Sequence, residues 1–307
     1  MSQTIYDIAV VGGGPAGMTA ALYGARAGKS VILFEGETLG GQIVVSERIE
    51  NYPALPNIDG FTFAQNLKEQ IEAQGVIIVQ AKVTEVEKTA PAFSVVADQT
   101  YTARSVILAT GLKHRKLGVS GEEELIGRGV SFCATCDGRF YRNREVAVIG
   151  GGNTAVQDAL TLSEYCSRVY LIHRRMELRA EEELVKRLDG KENIEFIGDT
   201  VVEEMQGTSR LEALSLKNLR TGAIQYLPVA GAFEAIGYIP QNQPFQAVAA
   251  LDEYGYFLAS PTGAASTSGV FVAGDACQKS VRQLTTAVSD GTVAALFAVQ
   301  YLDAHKD

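Results

Sequence analysis

The chain has 307 residues, of which 46% are hydrophobic and 21% charged, with a formal net charge of −9. Those proportions exclude a disordered chain. The acidic balance argues against nucleic acid or an anionic membrane surface as a partner, since both recruit clustered cations.

In chain order, residues 6–11 read as an apolar strand that breaks at once into glycines, with no basic start of the kind a signal peptide carries. The loop Gly12-Gly13-Gly14-Pro15-Ala16-Gly17 then opens a helical stretch over residues 18–27, and residues 30–34 form the next strand, followed by Glu35. This is G-x-G-x-x-G in its proper setting. One glycine makes the turn, one lets the backbone reach a pyrophosphate, and the third lets helix and strand touch. The helix start supplies N–H groups and a positive dipole end for phosphate, and an acid about 20 residues on suits a ribose hydroxyl.

Residues 93–96 and 100–108 alternate like antiparallel strands, and the run closes at Thr110-Gly111, which we count with the nucleotide-binding residues. Cys133-Ala134-Thr135-Cys136 follows, a C-x-x-C open to zinc, structural disulfide or redox readings. Zinc needs further ligands nearby, yet Cys166, Cys277 and the three histidines show no ligand spacing, so no metal is expected. Four cysteines in this length make no disulfide framework, and the composition reads as a reduced cytoplasmic protein. Redox chemistry is the remaining reading: the spacing lowers one thiol pKa and keeps a resolving thiol at hand. Asp137 is either an acid/base for the thiol proton or a turn residue before Gly138.

A second strand–glycine–helix unit spans residues 145–164, with the loop Gly150-Gly151-Gly152-Asn153-Thr154-Ala155 and a further strand over residues 168–172. After it stand His173, Arg174, Arg175 and Arg179, with no acid where the ribose should lie. Guanidinium groups bind a 2′-phosphate that a carboxylate would repel; the alternative is a solvated basic turn. Two unlike dinucleotides in one chain point to FAD at the first loop and NADPH at the second. Residues 270–275 form a late apolar run, and residues 283–303 an Ala-rich helix. No stretch approaches the ~18 uninterrupted apolar residues of a membrane helix.

The repeated unit predicts an α/β chain of two Rossmann-like dinucleotide-binding domains. Polar residues 113–116 and 241–243 bracket the second unit, so the NADPH domain is expected to be inserted into a discontinuous FAD domain. The expected boundaries are 1–115 and 244–307 for the FAD part and 116–243 for the inserted part.

Over essentially its full length the chain resembles the low-molecular-weight thioredoxin reductases. Cys-Ala-Thr-Cys-Asp-Gly is the most specific element, supported by Gly-Gly-Gly-Asn-Thr-Ala, His-Arg-Arg-x-x-x-Arg and the late Gly-Asp…Arg-Gln. The resemblance implies a cytoplasmic homodimer with FAD, NADPH and thioredoxin as partners. It implies that Glu35, Gly40, Gly41, Gln42 and Asn51 contact the flavin nucleotide from the first half, and Asp275, Arg282 and Gln283 from the second. By the same resemblance Cys136 faces the flavin, Cys133 attacks thioredoxin and Asp137 supplies the proton. Cys277 and Val288-Ser289 depart from the family pattern without removing a motif. Because the dithiol and the second loop share a domain, a rotation of the inserted domain is expected. Competing readings are a dithiol oxidase of the same fold, disfavoured by the intact arginine set, a reductase serving a peroxidase through an extra dithiol domain, and a nucleotide-binding redox sensor. Arg128, Arg139, Arg142 and Arg144 flank the dithiol and are either a docking rim for an acidic partner or simply solvated.

Overall fold

A computed structural model of the chain describes residues 4–46, 49–55 and 57–305. In chain order the first half holds β1 (Ile5–Val11), α1 (Pro15–Arg26), β2 (Val31–Phe34), α2 (Gly60–Ala73), β3 (Ile77–Val79), β4 (Glu85–Thr89), β5 (Ala92–Val96), β6 (Thr100–Leu108) and β7 (Leu112–His114). Next come α3 (Glu122–Leu125), β8 (Val130–Ser131), α4 (Ala134–Asp137), β9 (Glu145–Ile149), α5 (Asn153–Ser163), β10 (Arg168–Ile172), α6 (Glu182–Lys186) and β11 (Ile194–Ile197). The rest is β12 (Thr200–Gln206), β13 (Ala213–Asn218), β14 (Ile224–Pro228), β15 (Gly231–Glu234), β16 (Tyr238–Pro240), β17 (Val270–Val272) and α7 (Leu284–Ala304).

The chain divides into two compact units, Met1–Lys113 with Ile239–Asp307, and His114–Tyr238. The crossing segments β7 and β16 pair as a two-stranded ribbon. The second crossing therefore comes earlier than the expected residue 243. The reason is Asn242: fully buried, it donates to the Gly255 carbonyl at 2.9 Å and the Ala276 carbonyl at 3.1 Å, which ties residues 241–243 to the first unit.

The first unit is built on a sheet of order β3-β2-β1-β6-β5-β4, with β17 also on β6. Strands β3, β2, β1, β6 and β17 run parallel, while β5 and β4 continue antiparallel. Every side chain from Ile8 to Val11 is buried because both faces are covered. Ile8 and Val10 enter the core with α1 and α7; Ala9 and Val11 enter the opposite core with Phe34, Phe93 and Phe257. The helix α1 starts earlier than the apolar pattern predicts, since Pro15 presets the first turn behind the extended residue Gly14. The late apolar run stops at Val272 and turns into a 3-10 segment, Gly274–Ala276.

The second unit repeats the plan with a parallel sheet, β11-β10-β9-β15-β8. Val146 and Val148 pack on α5, and Ala147 and Ile149 face the core shared with the antiparallel sheet β12-β13-β14. Cys166 is buried, and burial pushes its thiol up to about 11, as befits a small apolar side chain.

One polar pair is sealed inside this unit. Glu122, 1% exposed, accepts the N–H groups of Leu117, Gly118 and Val119 at 3.0, 2.6 and 3.1 Å. Glu234 at the end of β15 is 4% exposed, and neither of its carboxyl oxygens has a donor among the described residues. Burial, then the facing Glu122, push Glu234 up to about 8, so at neutral pH it is a carboxylic acid able to donate to Glu122. The unfolded chain releases this proton near 4.5 and the folded chain near 8. Stability therefore falls as pH rises through that window, by about 1.4 kcal/mol per pH unit for one proton. Glu234→Gln should flatten the decline in denaturant-derived stability across that window by about one proton; a slope equal to wild type would refute the assignment of the proton to Glu234.

Candidate active site: two nucleotide loops and a dithiol

At the first loop the backbone is packed as tightly as a chain allows. Gly12 has φ +107, and a Cβ on Gly17 would fall 1.8 Å from the Gly12 carbonyl oxygen. Gly14 differs: it is the extended N-cap of α1, no side chain caps the helix, and a Cβ there would meet nothing within 4 Å. The first N–H groups of α1 thus begin beside open space, the arrangement a pyrophosphate needs. Glu35, just after β2, accepts the Gly13 N–H with Oε2 and the Glu37 N–H with Oε1, both at 2.7 Å. It shapes the loop and retains acceptor capacity for hydroxyls.

The other expected residues of the first unit converge on each other. Gly40, with φ +106, donates to the Gly13 carbonyl at 2.8 Å and leads into a 3-10 turn, Gly41–Val45. Gln42 donates from Nε2 to the Leu112 carbonyl. Thr110 donates to Asn242 Oδ1 at 2.6 Å, and Gly111 has open space around its Cβ direction. Asn51 donates from Nδ2 to Gln283 Oε1 at 3.1 Å, and Gln283 caps α7 reciprocally with Thr286. The Arg282 guanidinium lies 4.6 Å from the Tyr256 ring and donates to the Asp275 and Cys277 carbonyls at 3.3 and 3.4 Å. Asp275 Oδ1 is buried without a hydrogen-bond partner among the described residues, and burial raises its pKa. A buried orphan acceptor and an open helix start fit a dinucleotide that brings hydroxyls and phosphates. Cys277, in the same segment, is buried, and burial pushes its thiol up to about 12.

The second loop has the same form. Gly152 is the uncapped, extended N-cap of α5 with open space beside it. Asn153 donates to Glu181 Oε1 and accepts the Glu181 N–H, both at 2.8 Å, and Thr154 is exposed. The basic cluster divides in two. His173 is 5% exposed and lies under the loop, where a Cβ on Gly151 would fall 2.4 Å from its ring. Burial first, then the charges of Arg179, Arg174 and Arg175, lower its pKa, so it is a neutral floor and not a cation for phosphate. The three arginines stay exposed, with no ion-pair partner among the described residues; Arg179 donates its backbone N–H to the Gly151 carbonyl at 2.6 Å. A loop of bare N–H groups beside three free guanidinium groups fits NADPH.

Cys133 and Cys136 are joined by a disulfide, with their Cα atoms 5.3 Å apart. Cys133 is the N-cap of α4, and both cysteines are half-buried. The Cys136 N–H donates to Cys133 Sγ at 3.1 Å, a contact that favours a thiolate on Cys133 once the bond opens. Asp137 accepts from Ser131 Oγ at 2.6 Å, and Ser131 Oγ accepts the Cys133 N–H at 3.1 Å. Sequence reasoning missed Ser131, whose only signal was its place two residues before the dithiol. It also missed His114, stacked on Phe132 at 4.3 Å and tilted on Tyr238 at 4.7 Å, with burial lowering its pKa to about 4. Arg128, Arg139, Arg142 and Arg144 are exposed, as is Phe140 at 42%.

The glycines separate packing from binding. Gly17→Ala should destabilise the cofactor-free chain by about 2 kcal/mol or more, since backbone must shift. Gly14→Ala should leave that stability within about 0.5 kcal/mol and weaken dinucleotide binding. Thermal unfolding beside FAD titration checks both, and equal destabilisation by the two would contradict the assignment.

The sequence matches the pyridine nucleotide-disulphide oxidoreductase family over residues 6–291. It is 39% identical to a thioredoxin reductase of Peptoclostridium acidaminophilum, covering 99% of each chain, and 41% identical to one of Treponema pallidum, covering 98% of each. The structure resembles the crystal structure of thioredoxin reductase from Streptococcus pyogenes, with a TM-score of 0.91 at 38% identity over 99% of this chain and 100% of that one. With the two loops and the bonded dithiol in place, the chain belongs to the pyridine nucleotide-disulphide oxidoreductase family.

Proposed function

We propose that the chain is an NADPH-dependent thioredoxin-disulfide reductase, taking FAD at the first loop and NADPH at the second. The observation that carries the reading is the bonded Cys133–Cys136 pair on the same unit as a nucleotide loop flanked by the exposed Arg174, Arg175 and Arg179. The thioredoxin reductases that the chain resembles at 39–41% identity support the partner. The proposal extends to a cytoplasmic homodimer; among the described residues no helix is long and apolar enough to cross a membrane.

Bound FAD supplies a two-electron relay between NADPH and the disulfide. Opening that disulfide leaves Cys133 as the outer thiolate, assisted by the Cys136 N–H. Cys133 attacks a thioredoxin sulfur and forms a mixed disulfide. Cys136 then attacks Cys133 Sγ, which releases the thioredoxin thiolate and restores the internal bond. Asp137, held by Ser131, handles the proton that each departing thiolate takes up. The four exposed arginines and Phe140 surround this exchange with a basic, partly apolar rim suited to an acidic protein surface. The arginine set disfavours the dithiol oxidase alternative, which would have no use for a 2′-phosphate site.

Mixing the purified yellow protein with thioredoxin and either nicotinamide cofactor tests the reading. NADPH should bleach the flavin band and generate thioredoxin thiols; a preference for NADH would overturn the role of Arg174, Arg175 and Arg179. Cys136→Ser should keep NADPH-driven bleaching and lose disulfide reduction, and intact disulfide reduction would refute the dithiol assignment.

The dithiol and the nicotinamide loop share one unit, so they serve a single flavin in turn. The proposal therefore includes a rotation of His114–Tyr238 about the β7 and β16 crossings. A cross-link between the units should stop turnover while sparing at least one half-reaction; full turnover in the locked protein would sink the rotation.

A further inference from the structure

Residues 274 and 275, which bring the second half of the chain to the flavin site, are held by a side chain that no motif marks. Asp290 lies on α7, and its Oδ2 accepts the Gly274 N–H at 3.1 Å. The same oxygen pairs with Lys279 Nζ at 2.5 Å, and the lysine side chain is mostly buried. Gly274 has φ +79, a conformation that favours glycine, and the Asp290 contact fixes its N–H in that turn.

The neighbouring position completes the joint. A Cβ on Gly291 would fall 2.1 Å from the Ala16 carbonyl oxygen, and one on Gly274 would fall 2.8 Å from Ala16 Cβ. Consecutive residues of α7 therefore hold two separate pieces of the site. Gly291 seats the helix against the first turn of α1, and Asp290 seats the turn that carries Asp275. Asp275 is held at its backbone, through the Gly274 N–H on Asp290 before it and its own carbonyl on Arg282, while its Oδ1 is buried with no hydrogen-bond partner among the described residues.

We propose that Asp290 is a positioning residue for the flavin nucleotide. It locks Gly274 and Asp275 against the start of α1, so that the free carboxylate oxygen of Asp275 is presented to a cofactor hydroxyl, and Lys279 holds Asp290 in that geometry. This rests on the assignment of FAD to the first loop. The charges agree with the geometry: Lys279 and Arg282 lower the Asp275 pKa and so offset part of the burial and of the Asp290 charge that raise it.

The test titrates FAD into cofactor-free protein by flavin fluorescence, with binding of 2′,5′-ADP at the second loop measured on the same samples. Asp290→Ala should weaken FAD by about tenfold or more, the scale of losing a hydrogen bond to a charged group, and leave 2′,5′-ADP binding unchanged. Asp290→Asn keeps an acceptor for the Gly274 N–H and should recover most of that loss. Lys279→Met, which leaves the α7 backbone untouched, should weaken FAD by about threefold through loss of the ion pair and carries the test if the Asp290 variants fold poorly. Unchanged FAD affinity in Asp290→Ala overturns the proposal, and so does an equal loss at both loops. If the wild-type chain bound no FAD, the parent assignment would fail, a result distinct from either.

Discussion

The backbone N–H groups at the starts of α1 and α5 have no side-chain cap, and the residues around them keep those helix ends beside open space. Leaving a helix start bare costs stability, since a capping side chain typically contributes about 1 kcal/mol. Each unit offsets that cost with its sheet. In the first unit α1 is clamped between the parallel strands and α7; in the second α5 packs on β9 and β10. The all-buried strands 8–11 and 146–149 are therefore part of the site as well as of the core, because they hold two helix starts that no side chain caps.

What distinguishes the two loops is the charge placed behind them. Glu35 holds the first loop through the Gly13 N–H and its own turn through the Glu37 N–H, so a carboxylate shapes the backbone on this side. The second loop has an aromatic floor in that place. His173 is kept neutral by burial and by the arginines near it, which lets the imidazole pack against Gly151 without adding charge. The cationic charge lies on Arg174, Arg175 and Arg179, which are exposed and have no ion-pair partner among the described residues. A basic tripeptide that reads as one recognition element in sequence is thus a support and a set of contacts with different physics.

The local units were legible because their signals are local. A strand, a glycine-rich loop of six residues and a helix make a complete statement at residues 5–26 and again at 145–163, and Cys133-Ala134-Thr135-Cys136 is a pair three residues apart. The discontinuous plan was legible as well, since the repeat sits between two polar stretches. What escaped is held together by distance along the chain. Asn242 reaches Thr110 across 132 residues, and Glu122 meets Glu234 from opposite ends of the inserted unit. Asp290 holds Gly274 from 16 residues away, within a helix that reads as Ala-rich with apolar positions at helical spacing. Each is a polar group whose meaning depends on burial, and burial is not written in a stretch of one strand or helix. The second crossing was misplaced for the same reason: polar residues 241–243 read as a linker until Asn242 proves to be sealed in the core of the first unit.

The dithiol lies between these two cases. Its chemistry was legible from spacing, but the asymmetry between its sulfurs comes from the turn that carries them. Cys133 ends an extended segment and caps α4, so the Cys136 N–H points back at its sulfur. Cys136 lies inside the turn and gives up that N–H, and among the described residues no N–H donates to its own sulfur. When the bond between them is reduced, negative charge is therefore better accommodated on Cys133 than on Cys136. Ser131 reinforces the difference, since it fixes the Cys133 backbone with one contact and Asp137 with the other. The contacts of four consecutive residues and one serine thus make the two sulfurs chemically unequal.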